Sequence, residues 1–209
     1  MTTHSQDSPR SARREATRSR LIEAAVGVIA RKGVLGASVE EICEAAGFTR
    51  GAFYSNFESK DALCIALLDA QCQRHLAAAR EAVARMDHDH ELERRINDAL
   101  EVFVAVSGQG ADDVLVTSEL RLYAAREPAL REAFTAYQAR ITPLFATLIE
   151  DGLAAAGLRL TVGIDEALSL LHAVHDQTSL DQLVAGAEPG SGRTAQLLGQ
   201  VLRAFITPA

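Results

Sequence analysis

The chain is short of cysteine and of long apolar runs, and each shortage excludes something. Its three cysteines, Cys43, Cys64 and Cys72, form no CxxC pair and leave an odd number, which argues against a disulfide framework or a zinc cluster. Buried apolar thiols are expected; Cys64 and Cys72, eight apart on one helix face, are the pair a redox sensor would use. No run of 18 uncharged apolar residues occurs, so no membrane span is expected. The opening stretch MTTHSQDSPRSARREATRSR has arginines with no apolar segment behind them, unlike a secretory signal, and Asp7 and Glu15 count against a transit peptide. A cytoplasmic protein is expected. Nucleophile elbow, P-loop and HExxH are all missing, so no enzyme, cofactor or metal centre is expected. Convincing period-2 alternation is absent as well, which leaves helices.

What is present is an uneven charge. The net charge of −7 suits no nucleic-acid binder until it is divided along the chain. Residues 1–60 hold nine Lys and Arg against seven Asp and Glu, whereas the rest holds 12 against 21. A basic end on an acidic body fits a protein that meets DNA at one end only.

Helical punctuation then divides the basic end. Residues 1–14 read as a polar, disordered arm. Leu21, Ile22, Ala25, Val28 and Ile29 recur at helical spacing before KGVLGAS breaks the pattern. Ser38 and Glu41 form the capping box of a second helix that Gly47 ends. Thr49 caps a short third helix, and Ser59 a longer fourth one. Three short helices with a glycine turn between the last two are the helix-turn-helix pattern.

In such a unit the first residues of the second helix of the pair face base edges. TRGAFYSNF places them there. Arg50 has the fork that binds guanine O6 and N7. Gly51 costs the helix about 1 kcal/mol against alanine and is explained if DNA approaches closely beside Arg50. Thr49, Tyr54, Asn56, Lys60 and Ser38 are candidate phosphate contacts, while Phe53 and Phe57 face inward.

The stretch ASVEEICEAAGFTRGAFYSNFESKDAL, within residues 18–64, resembles the DNA-binding head of the TetR (tetracycline-repressor-like) family. The resemblance implies an all-α protein: a three-helix DNA-binding head (15–60), then a larger helical effector-binding and dimerisation body (61–209). It also implies a homodimeric transcriptional regulator, most simply a repressor whose palindromic operator is released by a small-molecule effector. Thr49, Arg50 and Gly51 match the opening of the family's reading helix, and Tyr54, Asn56 and Lys60 its phosphate contacts. A ligand-independent DNA organiser or division-control protein with the same head is the alternative.

The body is helical in pattern throughout. Leu92, Ile96, Leu100, Phe103 and Val104 form one stripe, and a segment from about Val114 to Ala125 follows. Pro128 opens a helix to about residue 156, which Pro143 should kink or split. Another helix covers 164–184. These two, with Leu144, Leu148, Leu168, Leu171, Val174 and Leu180, are expected to build the dimer interface. Polar residues among apolar helices mark an effector pocket: Tyr123, Tyr137, His172, His175 and Asp176, with His75 as a further member. The run DHDH, Asp87–His90, reads as an exposed loop.

Overall fold

The computed structural model describes residues 9–85, 110–155, 157–190 and 192–209. The Leu92–Val104 stripe and the Asp87–His90 run lie outside them.

Three helices form the head: α1 (Pro9–Gly36), α2 (Val39–Ala46) and α3 (Arg50–Tyr54). α1 starts inside the stretch expected as an arm, with proline in the first turn, where its missing N–H costs nothing. Its apolar stripe, Leu21, Ala25, Val28 and Ile29, is buried in one core with Ile42, Cys43 and Ala46 of α2 and Phe53 of α3. Near its end α1 breaks at Gly33, whose backbone is left-handed (φ 72°).

The body continues with α4 (Lys60–Arg85), α5 (Ala111–Ala124) and α6 (Pro128–Ala155). A short strand β1 (Leu158–Leu160) follows, then α7 (Ile164–Val184), α8 (Gly192–Ala204) and β2 (Ile206–Pro208). α4 buries Leu63, Cys64, Leu67, Leu68 and Cys72, against which α6 packs its own stripe of Leu130, Phe134, Tyr137, Ile141, Phe145, Ile149 and Leu153. α5 lies along α1 and so ties the body to the head. α8 covers α7.

Two expectations change here. Of the kink or split expected at Pro143, the split does not occur: α6 runs through that residue as one helix. That residue is exposed, so water can serve the carbonyl that the missing proline N–H leaves unbonded. The helical fold also carries one ribbon that periodicity did not signal: β1 and β2 pair antiparallel, Leu158 opposite Pro208 and Leu160 opposite Ile206. Three residues per strand are too few for alternation to register.

Candidate functional site

The head presents α3 through a chain of local devices. Glu41 N–H donates to Ser38 Oγ at 3.2 Å, and the Glu41 carboxylate accepts from Ser38 N–H at 3.1 Å, a complete capping box. Lys32 hydrogen-bonds the same carboxylate and, with Ser38, holds it down to about 2. Gly47 closes α2 in the left-handed conformation. Thr49 Oγ1 accepts the Ala52 N–H at 3.3 Å, capping α3. Phe53, fully buried, pins that helix from beneath; burying a phenyl ring stabilises by roughly 2–3 kcal/mol.

Arg50, Gly51 and Tyr54 are thereby turned outward. A Cβ built on Gly51 would meet only Thr49 Oγ1, at 3.7 Å, so packing within the protein does not require glycine there. Arg50 Nη1 lies 2.5 Å from Glu40 Oε1. The Tyr54 ring stands edge-on to Phe53, 5.3 Å between centroids.

Three of the expected phosphate contacts, Lys60, Asn56 and Ser38, have their donors engaged within the protein. Lys60 Nζ donates to the carbonyls of Val34 (2.7 Å) and Ala37 (3.0 Å), closing the turn between α1 and α2. Asn56 Nδ2 donates back to Ala52 O at 2.8 Å and finishes α3. Ser38 Oγ, besides capping, donates to Glu41 at 2.9 Å. Thr49, Arg50, Gly51 and Tyr54 form the outward face, with Lys60 and Asn56 as its internal supports.

In the body a cavity of about 460 Å³ opens between α4, α5, α6 and α7. Phe134, Ile141, Phe145 and Leu168 supply apolar wall; His75, Arg121, Tyr137, His172 and Asp176 supply polar groups. His75 Nδ1 is 3.0 Å from the Tyr137 hydroxyl. Burial pushes His75 down to about 4 and Tyr137 up to about 12, so both are neutral near pH 7. His172 Nδ1 donates to Leu168 O at 2.9 Å, and burial lowers its pKa as well. Arg121 hydrogen-bonds Asp176 across the cavity. Burial pushes the Asp176 carboxyl up, but His175 and Arg121 outweigh it and hold the group below its ordinary value.

Two expected pocket residues stand elsewhere. His175 is behind the wall, buried, with Nδ1 3.5 Å from Asp176. Tyr123 faces the head, where its hydroxyl donates to Asp61 at 2.9 Å; burial and that carboxylate raise it to about 12. α5 therefore has two working faces. Thr117 and Arg121 line the cavity, while Glu119 and Tyr123, on the other side, reach the head and the start of α4. Among the described residues no three His, Cys, Asp or Glu side chains gather as a metal site. Cys64 and Cys72 are fully buried, and burial raises both thiols, Cys64 to about 12, which works against redox sensing.

The profile of bacterial regulatory proteins, tetR family, matches residues 21–67. The head is that of the tetR family. The HTH-type transcriptional regulator CymR of Pseudomonas putida is 32% identical over 117 residues, 56% of this chain and 55% of CymR. The match thus spans about half the length of that curated relative. The fold extends further. A TetR transcription regulator from Haloarcula marismortui superposes over 92% of this chain and 100% of its own, with TM-score 0.74 at 16% identity. FadR from Bacillus subtilis, solved in complex with stearoyl-CoA, covers 88% of this chain and 95% of its own (TM-score 0.69, 18% identity).

Within this tetR-family head, sequence reasoning missed the clamps. Arg18 Nη1 donates to Asn56 O at 3.2 Å, and its guanidinium lies 4.3 Å from the Phe57 ring centre. Arg20 Nη2 donates to Ala46 O at 2.9 Å beside Phe48. Both satisfy carbonyls at helix ends that would otherwise lack partners. The signal was present in the chain: arginines on α1 flanking its apolar stripe.

Proposed function

We propose that the chain is a homodimeric, sequence-specific DNA-binding regulator of transcription, most simply a repressor freed from a palindromic operator by a small molecule. The observation that carries this reading is the outward face of α3. Arg50 and Tyr54 project from it on either side of a glycine that the fold does not require. In this reading Arg50 reads guanine, Gly51 lets the duplex approach, and Thr49 and Tyr54 meet phosphates; Ser38 joins them only by turning its hydroxyl proton away from Glu41. Lys60 and Asn56 act from behind by fixing the turns that aim α3.

The body cavity supports an effector-responsive regulator over a ligand-independent DNA organiser. Its volume and its mix of aromatic wall with a few polar groups suit a small organic ligand. Tyr137, His172 and Asp176, with His75 and Arg121, would orient that ligand. A ligand that displaced Arg121 or Thr117 would shift α5, and with it the Glu119 grip on the head and the Tyr123 grip on the start of α4; the DNA-competent population would fall accordingly.

For dimerisation the apolar surface left on α7 is the support, since Leu170 and Val184 are exposed. Leu168 and Leu171 fill the chain's own core, and α6 spends its apolar stripe inside. α7, with α8 beside it, is the better interface than α6. Among the described residues no helix is long and apolar enough to cross a membrane.

Selection from random duplexes should return a palindrome with half-sites about 34–36 Å apart or a multiple of that. A compound screen against that fragment should then find a ligand that frees it. Recovery of no preferred sequence sinks the regulator reading; a preferred sequence that no compound affects favours the organiser.

A further inference from the structure

Glu40 is a carboxylate on the face offered to DNA. It is the second residue of α2, and its Oε1 reaches across the turn to Arg50 Nη1 at 2.5 Å, with the two side chains 53% and 60% exposed. A pair this open to water does little for stability. On another side of the guanidinium lies the Tyr54 ring, 5.8 Å from its central carbon to the ring centre. The only cation of α3 is thus held between a carboxylate of the preceding helix and an aromatic ring of its own.

We infer that Glu40 is a specificity-determining residue that acts by positioning Arg50, an inference resting on the DNA-binding reading above. An unpaired arginine beside a duplex is drawn to the nearest phosphate, and that contact carries no sequence information. Glu40 opposes that capture twice. It occupies Nη1, which orients the remaining donors of a planar fork suited to the paired acceptors of guanine. It also sets a negative charge where Arg50 would otherwise lean on the backbone. Binding to arbitrary sequence is weakened more than binding where guanine is present, so the carboxylate trades affinity for discrimination.

The test uses the full chain, the fragment recovered by operator selection and a random duplex of equal length, titrated at several salt concentrations. In Glu40→Gln, random-duplex binding should tighten and its log–log salt slope should steepen by about 0.9 for each subunit that touches the duplex, one added phosphate contact apiece. The cognate-to-random ratio should fall about tenfold. Placed in an Arg50→Ala background, Glu40→Gln should leave that ratio unchanged, because the residue it positions is gone. Melting checks that each variant folds, and Glu40→Ala serves if the glutamine form does not. An unchanged ratio in Glu40→Gln overturns the inference, and so does an equal fall in the Arg50→Ala background. If the wild-type chain itself prefers no sequence, the DNA-binding reading has failed and the role of Glu40 goes with it. That outcome is distinct from selective binding that ignores Glu40.

Discussion

The carboxylate of Glu119, on α5, accepts the backbone N–H of Val34, just past the break in α1, at 3.1 Å. The contact is available because residue 33 is glycine. With φ at 72°, a Cβ on Gly33 would lie 2.7 Å from Glu119 Oε2. The body therefore grips the head through a backbone amide exposed by a break in α1.

Replacing Gly33 with alanine should lower stability by about 1–3 kcal/mol from its positive-φ, extended-ψ backbone alone, with more from displacing Glu119. Urea denaturation of the two proteins measures it. A midpoint equal to wild type would mean that the turn relaxes freely and that the Glu119 contact is dispensable.

Gly51 should behave in the opposite way. Alanine there meets only Thr49 Oγ1 at 3.7 Å, so the fold should be unaffected or steadier by up to about 1 kcal/mol. Operator affinity should nevertheless fall, since the methyl occupies the surface the duplex approaches. Raised melting with unchanged operator binding would show that DNA does not come close at this point.

Arg50 and Lys60 should separate cleanly. Arg50→Ala should leave melting near wild type and cost about 1–3 kcal/mol on the cognate site, with weaker discrimination at one base. Lys60→Met removes the donor to Val34 O and Ala37 O and should cost about 1–3 kcal/mol of stability. Its effect on DNA should follow from the loosened turn, leaving the salt slope near wild type. A slope lower by about one per subunit would instead make Lys60 a direct phosphate contact.

His75 should make stability depend on pH. Burial holds it at about 4 in the folded chain, against an ordinary 6.5, so between those values the unfolded chain binds more protons. Its contribution is complete above about pH 6.5 and lost as pH falls toward 4, by at most about 3 kcal/mol. His75→Gln, which can keep a hydrogen bond to Tyr137, should flatten the wild-type decline in melting temperature over that window. His172 is lowered too, so a smaller slope should remain. Parallel pH profiles for the two proteins would show that His75 is not held neutral by burial.

The head was legible because its information is local. The box of Ser38 with Glu41 and the cap at Thr49 each join residues three apart, and the structure contains both. The inward face of Phe53 and the outward one of Arg50 follow from helix period alone. What sequence could not supply was the partner of a long side chain. Lys60 suits a phosphate as well as a carbonyl, and only the arrival of the α1–α2 turn decides between them. Tyr123 and Tyr137 looked alike in the chain, polar tips on apolar helices. One meets Asp61 and the other His75, because opposite faces of the body receive them. The start of α1 and the β1–β2 ribbon escaped for a related reason: short polar or three-residue segments carry too few periods to show.

The position of Lys60 at the root of α4 has a consequence for cutting and splicing this protein. Leu63, Cys64 and Leu67, just beyond it, are fully buried in the same core as Leu21, Ile29 and Phe53. A fragment ending at residue 60 would lose that floor, leaving its reading helix packed on α1 and α2 alone. Exchange of heads between relatives would need its junction farther along α4, past Leu68, and the donor's equivalents of Glu119 and Tyr123 would have to travel with it. A swap made at the apparent boundary would set a foreign α4 against the new head's core, whatever operator its α3 had been chosen to read.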